Sequence, residues 1–234
     1  AIITCIGTSH LETLGTKEEI LQAKLEITAG MPQSGILLYS ADDPMLGVCR
    51  TLGMRTYGIS KHTGGGDYTL EDIRETEGET VCTLHCPEQR IRDIRLQGNG
   101  DAVLYAAAFS GAACDLLGLS ANDIRSALSR AGMPRLRQTV IRKGGIVFIA
   151  DCYNASPESM LCAFSLLKSY RGELRRRFAL LGDMRELGSE APALHRYVGQ
   201  MLASFCPDGL ITYGELAREI AIGARLAGTR SDQT

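Results

Sequence analysis

The sequence predicts an α/β protein with two domains, and three patterns support this prediction. Downstream of residue 140, three short apolar segments alternate with three helical segments, which is the order of βαβ units and of a parallel sheet. Upstream, residues 69–96 alternate apolar and polar side chains, with turn signals at Glu77-Gly78 and Pro87, as in antiparallel strands. Between the two patterns lies Gly132-Met-Pro-Arg-Leu-Arg, and we therefore place the domains at 1–134 and 135–234.

Composition is that of an ordinary soluble protein. The 234 residues are 44% hydrophobic and 22% charged, with a net charge of −2, which gives no support to nucleic-acid or membrane-surface binding. We find no apolar run of membrane-spanning length and no signal peptide. The eight cysteines are scattered, which favours reduced thiols and a cytoplasmic location over a disulfide scaffold.

The first domain is expected to begin with a strand at 2–6 and a helix that runs from the capping box of Thr16 and Glu19 to about Gly30. The remaining elements follow from apolar periodicity and turn residues: strands at 35–40 and 55–59, the antiparallel strands within 69–96, and helices at 102–117 and 120–132.

Lys24 is the unusual residue of the first helix. At about 100° per residue it falls near the middle of a stripe whose other members are Ile20, Leu21, Leu25, Ile27 and Thr28. A lysine on a largely apolar face is costly unless it snorkels, pairs or is chemically altered. Snorkelling is one interpretation, and the other is a functional lysine that faces a site shared with His10.

In the second domain, a buried strand at 146–150 is expected to deliver Asp151 to its carboxyl end, before a turn and a helix that begins at Pro157. The elements that follow are strands at 177–182 and 209–213 and helices at 157–170, 192–205 and 215–227. Ligands of open α/β sheets lie beyond the carboxyl ends of strands, where a carboxylate can reach ribose hydroxyls. The alternative is an ordinary strand-to-helix turn that Asp151 caps.

Asp183 repeats this arrangement, because it ends the strand at 177–182 and could face the same crevice as Asp151. A capped turn is again the alternative. A zinc site at Cys82, His85 and Cys86 is a further hypothesis, but these residues alternate as in a strand and have no second ligand pair elsewhere in the sequence.

Four motifs in order resemble the Mur ligase family, in particular the branch that adds D-alanyl-D-alanine to UDP-N-acetylmuramoyl-tripeptide. They are Ile6-Gly-Thr-Ser-His-Leu-Glu-Thr-Leu-Gly, Ala23-Lys24, Asp151-Cys-Tyr-Asn-Ala-Ser-Pro-Glu-Ser-Met and Leu181-Gly-Asp-Met-Arg-Glu-Leu-Gly. The resemblance implies the second half of a central ATPase domain with a mixed sheet, followed by most of a Rossmann-like carboxyl-terminal domain. The chain is then expected to be a fragment, because no G-x-x-x-x-G-K-[ST] phosphate loop occurs in it. Its missing partner would be the amino-terminal part of the same bacterial enzyme, without which we expect no activity.

The resemblance also implies an ATP-dependent, amide-bond-forming ligase of peptidoglycan precursor synthesis. The tripeptide carboxylate would attack the γ-phosphate of ATP, and the amine of D-alanyl-D-alanine would then displace phosphate from the acyl phosphate. The family's residues map onto this chain as magnesium ligands His10 and Lys24, the latter as a carbamate; as ATP contacts Arg135, Asp151, Tyr153 and Asn154; and as a substrate contact Asp183. For Lys24, this role explains the position better than snorkelling.

The sequence also departs from the family pattern. The family's adenine-contacting helix usually begins Gly-x-His-Asn-x-x-Asn, whereas this chain has Gly98-Asn-Gly-Asp-Ala-Val-Leu, and Ser40 and Ser156 stand where Asn is usual. Two alternatives therefore stay open. One is a folate-polyglutamate-type ligase of the same fold, and the other is a non-catalytic nucleotide-binding or interaction module with a decayed ATP site.

Overall fold

The computed structural model describes residues 1–76, 78–132, 134, 136–170 and 176–228, which form two compact units. The first unit contains Ala1–Ile6 and Glu18–Met133, and the second contains Gly7–Lys17 and Pro134–Thr234. The predicted α/β class is confirmed. The units divide within the Gly-Pro segment that the sequence singled out, but residues 7–17 lie with the second unit.

The first unit is built on a six-stranded mixed sheet. Its strands, in spatial order, are β1 (Ile2–Ile3), β2 (Ile36–Ser40), β3 (Arg55–Ser60), β4 (Tyr68–Thr76), β5 (Glu79–His85) and β6 (Arg90–Gln97). The first four strands are parallel, and β4, β5 and β6 are antiparallel. The mixed sheet expected for this half of the chain is thus confirmed, although the predicted strand at 2–6 shortens to two residues.

Capping residues mark the start of some helices of the chain. Ser120 caps one of them by accepting a hydrogen bond from the Asp123 amide at 3.2 Å. Before residue 133 the chain forms the helices α1 (Leu11–Leu14), α2 (Lys17–Leu25), α3 (Asp101–Leu116) and α4 (Ala121–Arg130), with 3₁₀ turns at Glu26–Thr28 and Pro44–Thr51. Of these, α1 lies in the second unit. Among the described residues, no helix combines the length and the apolar character that crossing a bilayer requires.

The core of the first unit lies between the sheet and the helices α3 and α4. The alternation of β5 and β6 turns one face inward, and the small residues of α3 let the helix approach that face. Fully buried members include Ile59, Leu84, Ile91, Ala108 and Ile124.

The second unit contains two separate two-stranded sheets and three longer helices. The strands are β7 (Thr139–Lys143), β8 (Ile146–Ala150), β9 (Phe178–Gly182) and β10 (Gly209–Tyr213), and the helices are α5 (Pro157–Ser169), α6 (Ala191–Ala203) and α7 (Ala217–Leu226). β9 and β10 pair in parallel, as the βαβ order predicted. Their core contains Phe164, Met184, Val198, Leu202 and Ile220.

The expectation of a buried parallel strand at 146–150 is wrong. β8 pairs antiparallel with β7, which the sequence analysis did not predict, and Ile146 and Phe148 are about half exposed (57% and 49%). The cause is the Gly144-Gly145 turn, in which both glycines have positive φ, 59° and 75°. A two-residue turn of this kind matches the twist of a hairpin and joins neighbouring antiparallel strands.

Candidate functional site

The segment of residues 7–17, which carries His10, contacts the rest of the second unit at two points. At the first point, Glu158 in the first turn of α5 accepts hydrogen bonds from the amide and the hydroxyl of Thr8, both at 3.0 Å. Lys17 lies 3.7 Å from the same carboxylate. The carboxylate at the amino-terminal end of α5 is also favoured by the helix dipole.

The second point joins His10 to the loop that follows β9. Nδ1 of His10 lies 2.5 Å from Oε2 of Glu186, and the Glu12 amide donates to the Glu186 carbonyl at 3.1 Å. His10 begins α1 in the left-handed region, with φ of 70°, and its carbonyl accepts from the amides of Thr13 and Leu14. The structure therefore brings His10 and the loop at 183–188 together, which the sequence analysis did not predict.

Asp183 has a structural contact at the start of this loop. Its Oδ1 accepts a hydrogen bond at 2.7 Å from the Ala217 amide, the first residue of α7. The backbone of Gly214 lies directly against the carboxylate, because a Cβ at that position would fall 2.2 Å from Oδ1. One oxygen of Asp183 thus bonds to the first residue of α7, a helix that lies 34 positions further along the chain.

The loop at 183–188 borders a cavity of about 720 Å³. Glu12, Ala191, Leu216 and residues 183–189 contribute to its lining, and Asp183 and Glu186 are two of its carboxylates. Arg185 is an exposed cation in this lining, and within the described residues it has no ion-pair partner.

His195 of α6 lies on the core side of the loop at 183–188. It is completely buried, and both ring nitrogens are occupied. Nε2 accepts from the Met184 amide at 2.9 Å, so Nδ1 carries the proton and donates to the Ala191 carbonyl at 2.6 Å. A neutral imidazole thus supports the loop at 183–188 from the core side.

The turn that carries Asp151 follows β8. Asp151 is half-buried, and within the described part of the chain its carboxylate has no hydrogen-bond or ion-pair partner. The helix that follows is capped by Ser156 instead, whose hydroxyl accepts from the Ser159 amide while the Ser159 hydroxyl accepts from the Ser156 amide. Asp151 is therefore not the cap, and no described residue bonds to its carboxylate.

Tyr153 and Asn154 lie on the same turn and are both exposed. The guanidinium of Arg137 lies over the Tyr153 ring, 4.3 Å from its centroid, although 68% of Tyr153 is exposed. Asn154 accepts from the Ala155 amide at 2.9 Å. Arg135, the expected phosphate contact, lies outside the described residues.

Lys24 belongs to the first unit and is half-buried on α2. Its Nζ donates to the Cys5 carbonyl at 2.7 Å. Of the stripe predicted around it, Ile20 is buried and Ile27 is 50% exposed, so the helix presents a mixed face. Among the described residues, this carbonyl is the one partner of the amine, which can donate three hydrogen bonds.

The cysteines of the zinc hypothesis point into the core of the first unit. Burial raises the pKa of Cys82 to about 11, and burial together with the charge of Asp115 raises the pKa of Cys86 to about 12. Both thiols are therefore protonated at neutral pH, and zinc binds thiolates. The described residues hold no group of three His, Cys, Asp or Glu side chains that could bind a metal ion.

The segment that departs from the family pattern has structural partners of its own. Asn99 bonds to the carbonyls of Thr76 and Glu79 and accepts from the Gly78 amide, which closes the turn between β4 and β5. Asp101 pairs with Lys61 at 2.7 Å.

Comparison with known proteins covers both units. The Mur ligase middle domain matches residues 1–114, and the Mur ligase glutamate ligase domain matches residues 136–233. The chain is 35% identical over 225 residues to the UDP-N-acetylmuramoyl-tripeptide–D-alanyl-D-alanine ligase of Bacillus subtilis (strain 168), a match that covers 96% of this chain and 48% of the relative. The chain therefore spans about half the length of the curated relatives that it matches.

Solved structures give the same result. The crystal structure of MurF from Acinetobacter baumannii superposes with a TM-score of 0.86 at 27% identity, over 95% of this chain and 48% of that one. The MurF ligase of Thermotoga maritima, solved in complex with ADP, gives a TM-score of 0.81 at 28% identity, over 94% and 50%. The middle-domain match is followed by the glutamate-ligase-domain match, and together they account for nearly all residues of the chain. The chain therefore belongs to the Mur ligase family.

Proposed function

We propose that this chain is part of an ATP-dependent ligase that joins D-alanyl-D-alanine to UDP-N-acetylmuramoyl-tripeptide. The observation that carries the proposal is the 35% identity to the Bacillus subtilis ligase, which extends over 96% of this chain and so over both units. The comparison with a MurF solved with ADP supports a nucleotide as the second substrate.

The proposed reaction proceeds in two steps. The terminal carboxylate of the tripeptide attacks the γ-phosphorus of ATP, which breaks the bond to ADP and forms an acyl phosphate. The amine of D-alanyl-D-alanine then attacks the acyl carbon, phosphate leaves, and the amine loses a proton. Both steps build negative charge on oxygen, which cationic donors must stabilise.

Residues of this chain would hold the nucleotide and orient it. The carboxylate of Asp151, to which no described residue bonds, would accept the ribose hydroxyls, with Tyr153 and Asn154 on the same turn, and Arg135 would contact the phosphates. Asp183 would contact the acceptor substrate through the oxygen that does not cap α7.

We expect His10 and Lys24 each to supply one ligand to magnesium. Nδ1 of His10 contacts a carboxylate, which leaves the lone pair of Nε2 free to bind a metal ion. Metal-binding histidines are usually arranged in this way. Carbamylation would convert the Lys24 amine into an anionic oxygen ligand, the type that magnesium prefers, while its remaining N–H could still bond to the Cys5 carbonyl. Bound magnesium would neutralise charge on the transferred phosphoryl group.

An assay of the protein at its natural full length tests this function. We expect phosphate release only when UDP-N-acetylmuramoyl-tripeptide, ATP and D-alanyl-D-alanine are all present. Release with a folate substrate and glutamate would favour the folate-type ligase, and no release with any set would favour a non-catalytic module.

Lys24→Ala tests the carbamate. We expect a loss of about 100-fold or more in rate, with partial recovery on addition of short carboxylic acids that replace the missing oxygen ligand. Lys143→Ala, in the exposed hairpin, is the control and should leave the rate unchanged. Full activity of Lys24→Ala would exclude Lys24 from the site.

A further inference from the structure

The loop at 183–188 does more than border the cavity, because Glu186 contacts α1 through both its backbone and its side chain. Its carbonyl accepts from the Glu12 amide at 3.1 Å, and its carboxylate lies 2.5 Å from Nδ1 of His10. The backbone hydrogen bond holds Glu186 beside His10 independently of the contact between the two side chains.

The fit of this loop against α1 is close. Gly188 has a φ of 58°, and a Cβ at this position would lie 3.2 Å from the Glu12 Cα, which is tighter than nine in ten natural Cβ contacts. Glu186 itself adopts φ of 62°, a left-handed conformation that residues with a Cβ rarely adopt. The buried His195 holds the Met184 amide of the same loop, so the position of Glu186 is supported from the core.

Stability does not explain the contact between the two side chains. His10 and Glu186 are more than half exposed (57% and 53%), and exposed ion pairs contribute little to the free energy of unfolding. The chemical consequence is more specific. A carboxylate on Nδ1 fixes the proton there and leaves the Nε2 lone pair free, and metal-binding histidines are commonly oriented in this way.

We propose that Glu186 is a positioning residue for His10. It holds the imidazole in the tautomer with the proton on Nδ1, so that Nε2 is presented to a divalent cation. This inference rests on the proposed function for His10 as a magnesium ligand, but assigns a role to a residue of the loop after β9. Glu186 would then connect the loop at 183–188, which carries the proposed substrate contact Asp183, to the proposed cation ligand His10.

Nitrogen-15 NMR of the histidine rings tests the tautomer without any metal. The chain has only four histidines, and protonated and unprotonated ring nitrogens resonate in separate ranges. At about pH 8.5, well above the ordinary imidazole pKa, we expect the proton of His10 on Nδ1. Glu186→Gln keeps an acceptor and should retain this tautomer, whereas Glu186→Ala should lose it. Glu190→Gln, on an exposed neighbour, is the matched control and should change nothing. An unchanged His10 spectrum in Glu186→Ala would overturn the proposal.

Binding of manganese, as a spectroscopic substitute for magnesium, separates the inference from the proposed function. In the protein at its natural full length, Glu186→Ala should weaken manganese binding about 10-fold, as loss of an outer-shell partner does, and His10→Ala should weaken it at least as much. If only His10→Ala weakens binding, the role of Glu186 is wrong and the proposed function stands. If neither variant does, both fall.

Discussion

Asp42 is a carboxylate of the first unit that accepts several hydrogen bonds. It follows β2 and accepts hydrogen bonds from the Ser60 hydroxyl at 2.6 Å, the Tyr105 hydroxyl at 2.6 Å and the Lys61 amide at 2.9 Å. Burial alone raises the pKa of Asp42, but these hydrogen bonds together outweigh burial and hold the pKa below its ordinary value. The network joins the carboxyl ends of β2 and β3 to α3.

The lowered pKa of Asp42 predicts an acid-dependent contribution to stability. A carboxyl group with a lower pKa in the folded state stabilises the protein above its unfolded pKa of about 3.9 and loses this contribution as the pH falls through the folded value. Asp42→Asn should therefore lower the melting temperature at pH 7, and the difference from the parent should shrink as the pH falls below about 4. Thermal unfolding followed from pH 7 to 3 measures this. The exposed Asp93→Asn is the control, and a deficit for Asp42→Asn that is constant with pH would contradict the interpretation.

Sequence reasoning at the residue scale found side chains whose type is unusual for their position. Lys24 was noticed because a cation fell within an apolar stripe, and Asp151 because it ends a strand. Glu186 and His195 gave no such signal. Glu186 contacts the imidazole of His10, which is far away in sequence, and His195 contacts the backbone amide of Met184. Periodicity carries no information about either contact.

At the scale of elements, α6 and α7 of the second unit pack closely against each other. Two glycines face the opposite helix backbone: a Cβ on Gly199 would lie 1.9 Å from the Ile220 carbonyl oxygen, and one on Gly223 would lie 2.0 Å from that of Arg196. Neither oxygen can move independently of its helix. The helices can therefore approach this closely only because both positions lack a side chain.

Gly199→Ala should force α6 and α7 apart and destabilise the second unit by about 2–3 kcal/mol, since an added methyl group in a tight core meets backbone that cannot repack. The higher helix propensity of alanine offsets only about 1 kcal/mol. Chemical denaturation with a helix signal measures the change. Gly47→Ala is the control, because a Cβ there meets nothing within 4 Å. A Gly199→Ala variant as stable as the parent would show that the helices are not in close contact.

The hairpin of β7 and β8 shows what limits predictions at this scale. Val140 and Ile141 precede the Gly144-Gly145 pair, and Ile146 to Ala150 follow it, so the hairpin signal was present in the sequence. The apolar run at 146–150 matched a buried parallel strand equally well. Pairing partners decide between the two, and a short apolar run does not specify its partner.

For the whole molecule, the fold class and most of the elements could be predicted from the sequence, because strand and helix periodicities differ. The placement of residues 7–17 could not. These residues lie within the match to the Mur ligase middle domain, yet they form hydrogen bonds to Glu158 and Glu186 of the second unit. Such contacts bridge more than 140 positions of sequence, and no local pattern encodes them.

Each unit has its own hydrophobic core, and in the described residues the two cores share no member. Two unfolding transitions are therefore expected, one for each unit. Leu84→Ala should lower the free energy of unfolding of the first unit, and Leu202→Ala that of the second, each by about 2–5 kcal/mol, because both side chains are almost fully buried. Calorimetry gives the two midpoints, and thiol labelling assigns them, since the buried Cys82 and Cys86 react only when the first unit opens. Leu226→Ala, at a 69% exposed position, should move neither midpoint. If Leu84→Ala instead lowered both midpoints equally, the chain would unfold as one cooperative body, and its stability would depend on more than the two separate cores.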